Sequence, residues 1–240
     1  MKTALKDIRV LILCGGLGKR LRAVTGEEMP KPMVSVDGKP FLEIVFDYLV
    51  KVGFSKFIFC VGHQGHLIES YFKDKAADIR FSYEKELLGT AGGLKLAESL
   101  IDTDSFVALN GDSFCSVAYD RLFEAHQAKG GLATLVLVSS NDRCDVGHVQ
   151  VNDQGCILGF SEKSSDRSPW INAGVYVMQK DFLKHIPIGE VSSLEKDIFP
   201  SLAGEQGKLI AYTSETEIYD IGTPDRLEHF KQYFLSQPKR

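Results

Sequence analysis

Long apolar runs are scarce in this 240-residue chain. Near the N-terminus, Lys2 and Lys6 precede an apolar stretch of only five residues, Val10 to Cys14. A secretory signal core needs about 7–15 such residues and a membrane span about 20, so neither is expected. The protein is read as soluble and cytoplasmic, with no membrane partner. A basic surplus is lacking too: 28 lysines and arginines face 32 acidic residues, for a formal net charge of −4. That balance argues against a nucleic-acid-coating protein, while leaving room for a local basic site. Cysteine is sparse and shows no pairing pattern. The five (Cys14, Cys60, Cys115, Cys144 and Cys156) form no C-x-x-C and are odd in number. Neither a zinc cage nor a disulfide framework is indicated, and reduced, mostly buried thiols are expected. No internal repeat, low-complexity stretch or linker is visible.

What is present is an ordinary globular composition, 44% hydrophobic and 25% charged, on a chain long enough for a substantial core. The first half alternates strand-like and helix-like segments. "RVLILC", "KFIFCV" and "LATLVLV" are continuous apolar runs that suit strands covered on both faces. "PFLEIVFDYLVKVG" is an amphipathic helix, with Glu43, Asp47 and Lys51 on one face, Leu42, Val45, Phe46 and Leu49 on another, and Gly53 past its end. "IRFSYE" and "SFVALNGD" read as further strands, and "GHLIESYFKD", "TAGGLKLAESL" and "YDRLFEAHQAKGG" as helices. The second half changes style. "GHVQVNDQGCILGFSEK" reads as two short strands around a turn at Asp153–Gly155. "NAGVYVM" is a strand, "SSLEKDIFPSL" opens with a Ser192–Glu195 capping box, and "TPDRLEHFKQYF" is a helix capped by Thr223 with Pro224 in its first turn. The order implies a Rossmann-like α/β fold, a mixed and mostly parallel sheet flanked by helices. One domain spanning 1–240 is expected, with an α/β nucleotide-binding half at about 1–140 and a smaller α+β half at about 141–240 completing the site.

The loop "CGGLGKRLR" leaves the carboxyl end of the first buried strand, where ligands bind in open α/β sheets. Glycines let backbone N–H groups approach phosphate oxygens, and basic residues neutralise the charge. A tight turn with solvated basic residues is the plainer alternative. A P-loop would place its first glycine at Leu13 and its hydroxyl residue at Arg20, so that pattern fails twice. A dinucleotide fingerprint fails once, because its third glycine would be Leu21. The pattern that fits is Gly15, Gly16, Leu17, Gly18, Lys19, Arg20, Leu21, followed by Pro30, Lys31, Pro32.

That pattern resembles the signature loop of sugar-1-phosphate nucleotidyltransferases. Further motifs follow in family order: "EKELLGTAGGL", "LNGDSF", "VGHVQV", "FSEK", "INAGVYV" and "YDIGTP". The resemblance implies that Cys14, Gly15, Gly16, Leu17, Gly18, Lys19 and Arg20 line the nucleotide site, with Glu84, Gly89, Thr90 and Ala91 receiving base and ribose. It implies Asp112 and Asp220 as carboxylates for Mg²⁺, Asp112 also lying near the ribose. It places Gly147, Glu162, Lys163 and Asn172 at the sugar phosphate. Arg20, Lys31, Asp112 and Lys163 carry the catalysis. The partners implied are a nucleoside triphosphate and a sugar 1-phosphate, and a homodimer is the expected association state.

Lys19 stands where the family usually has threonine, so a hydroxyl donor is replaced by a cation that reaches either the outer phosphates or solvent. Larger members add a C-terminal left-handed β-helix, which is not expected here. Within the family, the opening loop, "FLEIVFDYL", "EKELLGTAGGL" and "YDIGTP" look most like the branch that takes GTP and a heptose 1-phosphate. Mannose-, glucose- or N-acetylmuramate-phosphate substrates with GTP, UTP or dTTP are the alternatives, and a catalytically silent nucleotide-binding paralogue is a further one. His63 and His66 read as ordinary histidines at a helix start, since no third ligand is evident. Trp170 is left open between core and sugar.

Overall fold

The structure, a computed structural model, describes residues 4–237 except 17, 22, 23, 25, 27, 140–146, 162–167 and 206, and at position 19 the backbone alone. In chain order it holds β1 (Arg9–Leu13), the small hairpin β2 (Ser35–Val36) and β3 (Lys39–Pro40), α1 (Phe41–Lys51), β4 (Lys56–Val61), α2 (Gly65–Phe72), β5 (Asp78–Tyr83) and α3 (Gly89–Leu96). Next come β6 (Ser105–Asn110), β7 (Ser113–Cys115), α4 (Tyr119–Lys129), β8 (Ala133–Ser139), β9 (His148–Val151), β10 (Ile157–Ser161) and β11 (Trp170–Gln179). The chain continues with α5 (Phe199–Leu202), β12 (Leu209–Ser214), β13 (Ile218–Asp220) and α6 (Pro224–Ser236).

Among the described residues nine strands form the main sheet, ordered β10-β9-β11-β6-β1-β4-β5, with β8 pairing β11 and β12 pairing β8. β6, β1, β4 and β5 are mutually parallel. β11 runs antiparallel to β6, β8 and β9, so the long strand joins the two styles anticipated from the sequence.

The apolar runs work by period two. Val10 and Ile12 enter one core cluster and Leu11 the other, and Phe57, Phe59 and Val61 likewise alternate with Ile58 and Cys60. Each such side chain removed from water contributes about 1.5–3 kcal/mol, which is why the central strands are apolar throughout. The first cluster is rich in rings. Phe46 packs on Phe57 at 4.8 Å and on Phe72 at 5.5 Å, and α6 is pinned by Phe230 against Phe41 at 4.8 Å. Trp170 packs against the second cluster.

At the amino ends of the parallel strands Arg9 is wholly buried. It pairs with Asp102 at 2.7 Å and Asp78 at 2.9 Å, and Arg80 reaches the same Asp102 oxygen at 2.9 Å. The opposite, carboxyl ends are therefore the open side of the sheet.

Two local readings need correction. The polar face of α1 is not uniformly solvated. Glu43 is buried and accepts from Tyr71 at 2.7 Å and from Lys75, both in or beyond α2. The capping residue before α5 is Ser193, not Ser192. Ser193 Oγ accepts from Lys196 N at 3.2 Å while Asp197 accepts from Ser193 N at 2.7 Å. Ser192 is buried, and its carbonyl instead accepts the N–H groups of Ala91 and Gly92, which locks the start of α3. The other predicted elements form close to where the periodicity put them. Thr223 caps α6 by accepting from Arg226 N, with Pro224 in the first turn.

Candidate active site

Strand β1 ends between β4 and β6, and its last carbonyl and the next N–H are still tied to those neighbours: Gly111 N donates to Leu13 O and Cys14 N to Cys60 O. The glycine loop that follows is thus launched from a rigid edge. Its glycines serve different ends. A β-carbon on Gly15 would stand 2.6 Å from Glu84 Oε1, and one on Gly18 would stand 2.9 Å from the Lys31 Cβ, with φ already at +55°. Those two are required by packing. A β-carbon on Gly16 meets nothing within 4 Å, so its bareness serves open space, as close approach of a phosphate demands.

That space is a cavity of about 250 Å³ walled by Cys14, Gly15, Gly16, Gly18, Arg20, Lys31, Asp112 and Gly222. A second cavity of about 500 Å³ includes Asn110, Gly147, Ser161, Asn172, Glu195, Asp220 and Arg226. Both share Arg20, Lys31, Asp112 and Gly222. Two chambers therefore meet at one charged seam.

Chain topology builds the seam. β7 pairs antiparallel with β13, setting Asp220 opposite Ser113, and Ile221 N donates to Asp112 O at 3.0 Å. Two carboxylates far apart in sequence are so brought together, Asp112 in the turn just before β7 and Asp220 at the end of β13. Each has a cation: Lys31 lies 2.5 Å from Asp112 Oδ2, and Arg226 lies 2.8 Å from Asp220 Oδ1. Gly222 N also donates to Asp220 Oδ1 at 3.0 Å, and a β-carbon there would stand 2.8 Å from that oxygen and 3.7 Å from the Arg20 guanidinium. Three cations around two carboxylates leave a positive surplus, suited to polyanions. Among the described residues no group of three or more His, Cys, Asp or Glu side chains could hold a metal. His66 lies in the first turn of α2, as expected of an ordinary helix-start residue.

In the larger chamber, β11 carries a bulge against β8. Asn172 opposes Leu137, yet Tyr176 opposes Leu135, and Gly174 between them takes φ +68°. The bulge turns Asn172 into the wall. Its amide is fixed at both ends: Oδ1 accepts from Gly174 N at 2.9 Å and Nδ2 donates to the Tyr176 hydroxyl at 2.9 Å. A β-carbon on Gly147 would meet only Ser161 O, at an ordinary 3.5 Å, so packing does not demand that glycine either.

The segment expected to receive the base stands behind the loop. Glu84 presses between Gly15 and Gly93 and accepts from Leu88 N at 3.0 Å. Burial pushes its carboxyl above the ordinary carboxylate range, against the Leu88 hydrogen bond. Gly89, at φ +75°, is needed because a β-carbon would stand 2.5 Å from Ser192 O. Thr90 donates to Glu195 at 2.8 Å, and Ala91 is fully buried. None of Glu84, Gly89, Thr90 and Ala91 lines either cavity. Leu17, Glu162 and Lys163 lie outside the described residues, as does the Lys19 side chain. Sequence reasoning missed Asn110, Glu195, Gly222 and Arg226. Arg226 sits one turn into α6, within reach of "YDIGTP", and Glu195 was taken for a capping residue.

Such a fold and seam define a nucleotidyltransferase, and the chain belongs to the nucleotidyl transferase family, whose model matches residues 9–237. Its relatives include the D-glycero-alpha-D-manno-heptose 1-phosphate guanylyltransferases of Campylobacter jejuni and Aneurinibacillus thermoaerophilus. The first is 34% identical over 93% of this chain and 98% of its own. The second is 36% identical over 91% and 94%. The crystal structure of HddC from Yersinia pseudotuberculosis complexed with GMP-PN superposes with TM-score 0.82 at 30% identity, covering 95% of this chain and 99% of that one.

Proposed function

We propose that this chain transfers GMP from GTP to a heptose 1-phosphate, of the D-glycero-D-manno type, forming a GDP-sugar and pyrophosphate for surface-glycan synthesis. The observation that carries the reading is the junction of two chambers at Arg20, Lys31, Asp112 and Gly222. One chamber has the bare glycine wall of a phosphate site, the other a wall of amides, hydroxyls and carboxylates suited to a sugar. The names of the two guanylyltransferase relatives that match this chain over nearly their whole length support the choice of sugar and base. Nucleoside triphosphates are held in the cytoplasm, so the same reading puts the enzyme there. No described helix is long and apolar enough to cross a membrane.

In this reading, an oxygen of the sugar phosphate attacks the α-phosphorus, and the bond to the β-phosphate breaks as pyrophosphate leaves. The attacking phosphate has a second pKa of about 6 and is largely ionised at neutral pH, so no general base is needed. The obstacle is charge, since two polyanions must meet and negative charge builds on the bridging oxygen. Gly16 admits the triphosphate to the backbone, Arg20 neutralises it, and Lys31 stabilises the α-phosphoryl group as charge develops. Asn172 and the bare Gly147 fix the sugar, and Lys163 takes the sugar phosphate.

Asp112, in the turn before β7, and Asp220, at the end of β13, supply hard oxygen donors, a set that fits Mg²⁺ with substrate oxygens and water completing its shell. The bound ion would neutralise and align both phosphates. Lys31 and Arg226 pair with those carboxylates and hold them in place at the seam. Pyrophosphate release from GTP and D-glycero-α-D-manno-heptose 1-phosphate, with and without Mg²⁺, tests the reading. Release that requires all three components is expected. Release only with UTP and glucose 1-phosphate would overturn the substrate assignment.

A further inference from the structure

Glu195 is a wall residue of the larger cavity that no helix-capping duty explains. Ser193 and Asp197 cap the segment that contains it, leaving the Glu195 carboxylate turned elsewhere. Its Oε2 accepts from the Thr90 hydroxyl at 2.8 Å and from Ser193 Oγ at 2.9 Å. Thr90 is itself oriented, since its oxygen accepts from Leu194 N at 2.8 Å and its proton is thereby directed to Glu195. On the other side, Asn172 Nδ2 donates to the Tyr176 hydroxyl, which donates a long bond of 3.4 Å to Glu195 Oε1. Burial pushes the Tyr176 hydroxyl well above its ordinary pKa, so it stays a donor. Every link of this chain points its proton at the carboxylate.

A carboxylate has about four acceptor sites and no donor when ionised. Oε2 is engaged twice, while Oε1 holds one weak bond and keeps acceptor capacity on a side chain that forms part of the wall. A ligand that completes such a group must offer hydroxyl protons.

We propose that Glu195 is a specificity-determining residue of the sugar site, its Oε1 accepting from hydroxyls of the sugar 1-phosphate, and that Thr90 is the positioning residue that holds it there. The proposal rests on reading the larger cavity as the sugar pocket. It moves Thr90 from the nucleotide, where its motif put it, to the support of the sugar. It also gives the helix start at Gly89–Ala91 a reason for its tight lock onto Ser192: a displaced Thr90 would release Glu195.

Steady-state kinetics of pyrophosphate release, with GTP and heptose-, mannose- or glucose-1-phosphate, test this in wild type, E195A, E195Q, T90V and T90S. Loss of a charge-assisted hydrogen bond predicts a sugar-phosphate KM raised about tenfold or more in E195A, with the GTP KM within about twofold. T90V is expected to shift the same constant in the same direction by a smaller factor, and T90S, which keeps the hydroxyl, to restore it. A purely structural role would lower the thermal midpoint and disturb both KM values together, and T90S would not separate from T90V. Should E195A fold poorly, E195Q and the Thr90 pair still read the sugar KM. If the wild type releases no pyrophosphate with any of the three sugars, the underlying reading fails. If it turns over and the sugar KM is unmoved in E195A, E195Q and T90V, the inference alone is overturned.

Discussion

The ammonium of Lys31 lies 2.5 Å from Oδ2 of Asp112, and this pair stands where the two chambers meet. Lys31 approaches from the short turn Lys31–Met33 and is seated against Gly18, while Asp112 follows β6. One group is proposed to neutralise the α-phosphate and the other to hold the metal, so each serves as the partner of the other until substrates arrive. Lys31→Ala and Asp112→Asn should each lower kcat by at least about 10²-fold, the usual effect of removing one electrostatic stabiliser of a transition state. Circular dichroism and thermal melts should show an intact fold. Near-normal turnover by either variant would remove the mechanism.

The glycine loop separates packing from ligand approach. Gly18→Ala puts a β-carbon 2.9 Å from Lys31 at φ +55°, and should lower the thermal midpoint. Gly16→Ala has nothing within 4 Å to strike, so its melt should match the wild type while GTP affinity falls. Paired melting and calorimetric titration check this. Equal destabilisation of the two variants would contradict the division of labour.

Gly147 offers the same comparison in the other chamber. Alanine there would touch Ser161 O at only 3.5 Å, so stability should hold. The added methyl projects from the cavity wall, and the sugar-phosphate KM should rise with the GTP KM unchanged. A shift in the GTP constant alone would place Gly147 on the wrong substrate.

Much of this was legible in the chain. The buried strands were readable because two-sided burial forces continuous apolar runs, and α6 because Thr223 and Pro224 mark its start locally. The seam was legible through Arg20, Lys31, Asp112 and Asp220, which short motifs carry. What escaped depends on distant contacts. Glu43 looks solvated until α2 brings Tyr71 and Lys75 over it. Ser192 looks like a cap until its carbonyl is seen to serve α3. Thr90 and Glu195 are 105 positions apart and meet only through the fold. Asn172 itself was named by its motif, but the bulge that turns it into the wall is announced by no alternation pattern.

Acid stability should depend on the pole opposite the site. The Arg9 guanidinium beside Asp102 holds that carboxyl down to about 2. A lowered folded-state pKa means stability that is fully present above the unfolded value of about 3.9 and lost as pH falls toward 2. Asp102 is 43% exposed, so solvent screening reduces its share to about 1 kcal/mol. Asp102→Asn should therefore be less stable than wild type at pH 7, with the two denaturation midpoints converging between about pH 4 and pH 2. A gap that stays constant over that range would show that the ion pair is not the source.

The central claim is transfer of a nucleoside monophosphate to a sugar phosphate, and isotope position reads it directly. GTP labelled at the α-phosphorus, incubated with heptose 1-phosphate, Mg²⁺ and enzyme, should give its label to a GDP-sugar, and GTP labelled at the γ-phosphorus should give its label to pyrophosphate. Label from the γ-phosphorus appearing as orthophosphate, with the α-label retained in GDP and no GDP-sugar formed, would contradict the account.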